Sequence, residues 1–347
     1  MKILSGQQDY FSLDIGTTAI RAVQLTRDST GWSLAHYGAA PLDIRLSSSD
    51  APDDQRKLGE VIMTVIGQSG IRTKNVVLGV PSNKMFATVI DLPDMPEAEL
   101  ASTVKYQADQ FIPTSLDEVK VDWAVLSKPV KTSPKTEVLL ASVANTFIES
   151  RLDLIEGLGF DVGAIEPDSV ALVRSLQPVG VAEGNLIIDF GDFATDIIMT
   201  YDDSPRLIRS IPTGVQSLVK ATTQNLNVQT EQAQQFILKF GLHKDKLEGQ
   251  VFHAMESTVD QFVVEIVKSV KFFQTRYPNI PIRNMIVSSY AVTVPGFSDY
   301  LAEKIGIPVI NGNPWQTVKV SAADQVALQP LSSQFGVAIG LAQRGLL

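Results

Sequence analysis

Two short stretches, half a chain apart, constrain this sequence more than anything else in it. Asp14-Ile15-Gly16-Thr17-Thr18 follows the run Tyr10–Leu13 and precedes the alternating Ala19–Leu25. Asp189-Phe190-Gly191-Asp192-Phe193-Ala194-Thr195-Asp196 follows Asn185–Ile188 and precedes Ile197–Tyr201. Each reads as a strand, a tight polar turn and a second strand. A repeat this long is no solenoid; it indicates an internal duplication, two related lobes with a cleft between them. Glycine and hydroxyl residues in such a turn let backbone N–H groups close on phosphate oxygens, and a neighbouring carboxylate can hold Mg²⁺ through water. One Asp-X-Gly turn is more often an ordinary hairpin than a phosphate site. The second, related copy shifts that balance.

The 347 residues, 44% hydrophobic and 19% charged, leave room for two cores and exclude a disordered chain. With 29 Lys and Arg against 38 Asp and Glu, a net charge of −9 and no basic cluster, nucleic acid is not an expected partner. The absence of cysteine excludes disulfides, Cys-ligated metals and thiol nucleophiles. Met1–Tyr10 lacks the apolar stretch of a signal peptide, and no apolar run reaches the ~18–20 residues of a membrane span, so a soluble protein that stays inside the cell is expected.

Ala40–Asp54 is a polar loop before a helix over about Gln55–Gln68. Asn75–Gly159 reads as a self-contained α+β unit: strands Val76–Val80, Met85–Asp91, Val119–Leu126 and Glu137–Val143, helices Pro96–Gln110 and Phe147–Leu158, and a hairpin loop Lys128–Thr136. Pro96 suits a first helical turn, and Leu100, Val104, Ala108 and Phe111 share the face that packs on the strands. Further on, Ala233, Phe236 and Ile237 mark one helix, and Phe252, Met255, Val259, Phe262, Ile266, Val270 and Phe273 a longer one whose stripe fits core, with coiled-coil association the lesser alternative. Ile282–Ser288 reads as a buried strand, Pro295–Ile305 as a helix stopped by Gly306, and Phe335–Gln343 as a last helix.

The two hairpins resemble the phosphate motifs of the actin, sugar-kinase and heat-shock-chaperone ATPase superfamily. Within it the chain resembles the PilM family of type IV pilus assembly proteins from Phe11 to Leu341, most specifically in the inserted unit: Asp91-Leu92-Pro93-Asp94-Met95-Pro96-Glu97-Ala98-Glu99-Leu100, Gln110-Phe111-Ile112-Pro113 and Val121-Asp122-Trp123-Ala124-Val125-Leu126. The resemblance implies an α/β, actin-like two-lobed ATPase fold, duplicated ribonuclease-H-like domains with an inserted α+β subdomain. It divides the chain into a lobe 1 core (9–74 and 160–182), the inserted partner-binding subdomain (75–159), a lobe 2 core (183–217 and 278–332), a helical part of lobe 2 (218–277) and a C-terminal helix returning to lobe 1 (333–347). It further implies ATP or ADP with Mg. Asp14, Gly16, Thr17 and Thr18 would hold phosphate from one side and Asp189, Gly191, Asp192, Ala194 and Thr195 from the other, with Asp14 and Asp189 on Mg through water.

Glu166-Pro167 with Ala171 resembles the lobe-linking motif, where Glu166 would orient the attacking water; a solvated helix-start carboxylate is the other reading. Glu265, Lys268 and Ser269 match the stretch near adenosine and share a helix face, which also suits a surface ion pair. Gly214-Val215 stands where relatives have Gly-Gly, and Ser288-Ser289-Tyr290-Ala291 where a Gly-Gly-Gly-Ala run is expected. Tyr290 could stack on a purine or fill its pocket. Ala233-Gln234 with Ile237 lacks two polar adenosine contacts. The phosphate half of the site looks intact and the nucleoside half eroded, so a weak or slow ATPase is expected.

The resemblance implies a cytoplasmic scaffold, peripheral on the inner membrane, whose partner is a PilN-like bitopic membrane protein with its N-terminal peptide in a groove made with the insert; Phe111, Ile112 and Trp123 are apolar candidates that core packing would equally explain. Other pilus alignment and motor proteins are expected neighbours, and self-association is open. Two alternatives are a small-molecule kinase, with Asp192 or Asp196 as base, and an FtsA-like cell-division protein. The latter would carry a terminal membrane helix, for which Gly345-Leu346-Leu347 leaves no room, so direct membrane insertion is not expected. No Walker loop, Gly-X-Ser-X-Gly elbow or His-Glu-X-X-His pair occurs, and His36, His243 and His253 lack ligand spacing.

Overall fold

The computed structural model describes residues 9–127, 135–180 and 183–344. Its first sheet is built around β1 (Phe11–Ile15), in which Phe11, Ser12, Leu13 and Asp14 are all buried, as a strand covered on both faces must be. β2 (Ala19–Asp28) and β3 (Gly31–Pro41) add antiparallel on one side; β4 (Asn75–Val80) and β8 (Asp161–Pro167) add parallel on the other. The second sheet repeats this plan: β10 (Thr195–Tyr201) and β11 (Ser204–Ile211) lie antiparallel beside β9 (Gly184–Phe190), and β12 (Ile282–Ser289) and β13 (Val309–Asn311) lie parallel beyond it. A short β14 (Val318–Lys319) extends the first sheet next to β3.

Helices cover the outer faces. α1 (Ile44–Ser48) and α2 (Pro52–Ser69) pack on the first sheet through Leu46, Leu58, Ile62 and Val65 against Phe11, Leu13 and Ile20. The insert runs β5 (Met85–Pro93), α3 (Glu97–Phe111), β6 (Val119–Ser127), β7 (Lys135–Ala144) and α4 (Asn145–Gly157), and forms an antiparallel sheet in the order β5-β7-β6. Leu100, Val104 and Ala108 seat α3 on Ile90, Val138 and Leu140. Pro96 precedes the helix as its cap rather than lying in the first turn, and Phe111 is 45% exposed rather than packed. Ile112 is core and Trp123 packs against the same cluster. Most of the expected Lys128–Thr136 loop lies outside the described residues; Lys135 and Thr136 already belong to β7.

α5 (Asp168–Leu176) and the later α12 (Gly336–Ala342) are sandwiched between the sheets: Ala171 and Leu341 face Val77, while Leu172 and Leu176 face Ile187, Ile198 and Ile286. On the far face of the second sheet lie α6 (Val215–Leu226), α7 (Thr230–Phe240) and α8 (Gln250–Arg276), with α9 (Tyr290–Thr293) and α10 (Phe297–Ile305) in the same core, whereas Leu328 of α11 (Ala322–Leu328) packs with Val23 and Leu25 of the first sheet. The α8 stripe from Phe252 to Phe273 is entirely core, at about 1.5–3 kcal/mol per large apolar side chain. Gly306 stops α10 in the left-handed conformation, as expected.

Candidate functional site

The hairpin β1–β2 closes with Gly16 N–H donating to Ala19 O at 3.0 Å, and the hairpin β9–β10 closes with Gly191 N–H donating to Ala194 O, also at 3.0 Å. A Cβ on either glycine would stand 2.9 Å from that acceptor. Both turns therefore need glycine for the same reason. The tips meet across a cleft of about 810 Å³ whose walls include Asp14, Gly16, Thr17, Arg21, Asp168, Asp189, Gly191, Asp192, Ala194, Asp196, Arg209, Ser289 and Tyr290.

Asp14 is buried, which raises its carboxyl to about 6; Arg21, 3.6 Å away, pulls it down and Asp189 pushes it up. The hairpin register places Arg21 directly across from Asp14. At the second tip, Asp189 Oδ1 accepts from Ser288 Oγ at 2.5 Å and Ser289 Oγ at 2.6 Å. β12 runs parallel to β9 with Ser288 opposite Asp189, so the strand end delivers both hydroxyls. Ser289 has φ 55°, a conformation that favours glycine and costs about 1–3 kcal/mol with a side chain. At the position where glycine is expected, this chain places a hydroxyl on a backbone that favours glycine.

Thr18 Oγ1 donates to Asp192 Oδ2 at 2.5 Å, and Tyr290 OH to Asp192 Oδ1 at 3.1 Å. Burial first, then the Asp192 carboxylate, pushes the Tyr290 phenol up to about 12. Tyr290 thus stands in the cleft wall with its hydroxyl turned to Asp192. Thr195 and Ser288 are buried behind the tip, Thr195 Oγ1 donating to Thr213 O at 2.5 Å. A Cβ at Gly214 would lie 2.4 Å from Asp192 O, so the β11–α6 junction can press against the tip only as glycine. Val215 and Gln216 N–H donate there to Gly191 O and Asp192 O at 3.0 and 2.9 Å.

Glu265, Lys268 and Ser269 sit on α8 behind this wall. Glu265 takes Lys268 Nζ at 2.6 Å and Arg209 Nη2 at 2.5 Å, and both hold its carboxyl below the usual range. Glu265 and Lys268 thus form an ion pair, and Arg209, which also reaches Ser269 Oγ at 3.2 Å, links them to the cleft. Glu166 fits neither reading made of it. It is buried, both oxygens are taken by Arg174 at 2.6 and 2.7 Å, Arg344 lies at 3.6 Å, and it is not among the cleft-lining residues.

Asp168, two residues on, is the acid that faces the cleft. It is 8% exposed, its Oδ1 has no hydrogen-bond partner, and burial together with Asp14, Asp196, Asp189 and Glu166 raises its carboxyl well above the usual range. Asp196 is pushed to about 6 by burial and by Asp189 opposite it, against the pull of the Ser82 and Ser210 hydroxyls. Sequence reasoning missed Asp168 and Arg21 as site residues; the second was readable from the hairpin register. These carboxylates form a strongly anionic wall that a cation or shared protons would relieve. Among the described residues no three acidic, His or Cys side chains are set to ligate an ion directly.

The sequence matches the family model for the type IV pilus assembly protein PilM over residues 12–346. The chain belongs to this family. Its fold is similar to a chain of the solved PilM–PilN type IV pilus biogenesis complex, with a TM-score of 0.83 at 20% identity over 99% of this chain and 100% of that one. The ethanolamine utilization protein EutJ of Carboxydothermus hydrogenoformans shares the fold at TM-score 0.54 and 13% identity, over 97% and 90% of the two chains. MreB5 of Spiroplasma citri bound to AMPPNP does so at 0.51 and 12%, over 96% and 95%. The actin-like fold expected from the hairpins is thus the fold of the molecule, and the full-length family match favours the pilus reading over the kinase and cell-division alternatives. No helix among the described residues is long and apolar enough to cross a membrane.

Proposed function

We infer that this chain is an actin-like, nucleotide-responsive scaffold of the type IV pilus inner-membrane assembly complex, held at the membrane by a PilN-like bitopic protein. The observation that carries this is the family match along the whole chain together with its fold likeness to a PilM–PilN complex. The groove best placed for a partner's N-terminal peptide lies where the insert's α4 meets α2 of lobe 1. It encloses about 1070 Å³ and is lined by Gln55, Met63, Ser150, Leu154 and Leu158 among others. Pilus alignment and motor proteins are the further neighbours this reading implies.

The cleft takes ATP or ADP between the hairpins. Thr17 and Thr18 approach phosphate from lobe 1, and Gly191 and the Asp192–Ala194 tip from lobe 2. Mg²⁺, when bound, would supply the positive charge that pairs the phosphates with Asp14 and Asp189 through water, which suits a wall whose carboxyls are raised by burial and, after it, by one another. Asp168, with its unpartnered buried oxygen, is the better candidate than Glu166 for orienting water. Tyr290 narrows the nucleoside half, so binding is weak and turnover slow.

The test is co-purification with a synthetic peptide matching the cytoplasmic start of the partner, with and without Mg-ATP, on wild type and on Leu154→Arg. Capture of the peptide by wild type and its loss in the groove variant are expected; equal capture by both would move the docking site elsewhere. Calorimetry with Mg-ATP plus a phosphate-release assay covers the cleft, where tight binding with multiple turnovers would overturn the weak-ATPase reading.

A further inference from the structure

The two hairpins touch each other directly, and the contact is a carboxylate. Asp192 places one oxygen on Thr18 Oγ1 at 2.5 Å and the other 3.1 Å from the Tyr290 hydroxyl. Thr18 belongs to the turn between β1 and β2 of the first sheet, whereas Asp192 and Tyr290 both belong to the second sheet's side, so the Thr18 contact ties the walls together and Tyr290 holds the carboxylate from its own side. The tip carrying it is fixed: Gly191 N–H is spent on Ala194 O, and the carbonyls of Gly191 and Asp192 accept from Val215 and Gln216 at the start of α6. A threonine hydroxyl has one proton to donate. It serves Asp192 or an incoming phosphate oxygen, and an anion brought there also meets the carboxylate face on.

We propose that Asp192 is an internal competitor for the phosphate position: it claims the Thr18 and Tyr290 hydroxyls, bridges the lobes through the first of them, and has to be displaced before a phosphate is gripped from both sides. The ligand rests on the nucleotide reading above; the bridge does not. Displacement acts as a tax on apparent affinity, because only the fraction of molecules with the bridge open is competent to bind.

The chain has no cysteine, so Lys57→Cys on α2 and Glu303→Cys on α10, both exposed, give a clean label pair for interlobe distances by double electron–electron resonance. Distances without nucleotide, and Mg-ATP and Mg-ADP affinities by calorimetry, are compared for the labelled parent, Asp192→Ala, Asp192→Asn and Thr18→Val. The Ala variant is expected to broaden the distance distribution and to bind about tenfold more tightly. Asn, which keeps the shape and one acceptor oxygen, falls between. Thr18→Val broadens the distribution too but binds more weakly, since it removes bridge and donor together. An unchanged distribution in both Asp192→Ala and Thr18→Val overturns the bridge. Asp192→Ala binding no more tightly than the parent overturns the competition. Failure of the parent itself to bind either nucleotide defeats the nucleotide reading, and the distances still decide the bridge.

Discussion

Across the ladder from the leading aspartate of the first hairpin stands Arg21; across from that of the second stands Asp196. The backbones agree closely, each closed by a glycine N–H on an alanine carbonyl at the same distance. The duplicated part is thus the turn, whose geometry admits few residues. The charges were resolved separately in each lobe. Lobe 1 neutralises its buried carboxylate with a guanidinium on the neighbouring strand. Lobe 2 sets two carboxylates side by side and eases them with hydroxyls, Ser288 and Ser289 on Asp189 and Ser210 beside Asp196, with Ser82 reaching Asp196 from the end of β4 across the cleft. The surplus negative charge of the cleft is therefore on the wall where the tip also carries Asp192.

The sharpest way to break this comparison is to remove the lobe 1 solution. Arg21→Met leaves Asp14 buried without its partner and is expected to cost about 3 kcal/mol in urea unfolding at pH 8, with a smaller loss at pH 5, where Asp14 carries a proton. Equal losses at the two pH values would show that Arg21 acts through packing or through Gln334, which accepts from it at 2.7 Å. Next in size is the backbone: Gly16→Ala and Gly191→Ala put a Cβ at the same 2.9 Å from a carbonyl, so each should cost about 2 kcal/mol. The test is their equality. Thermal unfolding that separates them by more than about 1 kcal/mol would mean that the tips differ in backbone compliance as well as in charge.

What was readable from sequence divides along the same line. The hairpins, the α8 stripe and the insert's helix-on-sheet packing each depend on residues close in sequence with a fixed period, and these patterns survive in the fold. The identity of the cleft acid does not depend on period. Glu166 lies next to the end of β8 and Asp168 begins α5; which of them faces the cleft is decided by Arg174, which draws Glu166 aside, and by α12, whose Gly340 O shares that guanidinium. That contact spans half the chain. Ser289 was marked as a departure from a glycine run, yet only the structure shows that its φ remains glycine-like while its hydroxyl serves Asp189. The partner of the Tyr290 hydroxyl, Asp192, comes from the turn between β9 and β10, about a hundred residues away in sequence and equally invisible to period.

The smallest expected effects read out lobe 2's side of the comparison. Asp196→Asn removes one of two facing carboxyls and should stabilise the protein by about 1 kcal/mol at pH 7.5, which Tm would report. The pH dependence follows from the same cause. Asp14 and Asp196 sit at about 6 when folded, against an ordinary 3.8. Between those values the folded chain keeps protons that the unfolded chain has released. Stability from these two groups therefore rises as pH falls from 7.5 through 6 and levels off below about 4, at most on the order of 1 kcal/mol per group per pH unit. The parent's Tm should climb between pH 7.5 and 5.5, and Asp196→Asn should climb less steeply, Asp14 and Asp168 still contributing. Superimposable profiles would mean that Asp196 gains nothing from its proton and that hydroxyls alone carry the charge of the second hairpin.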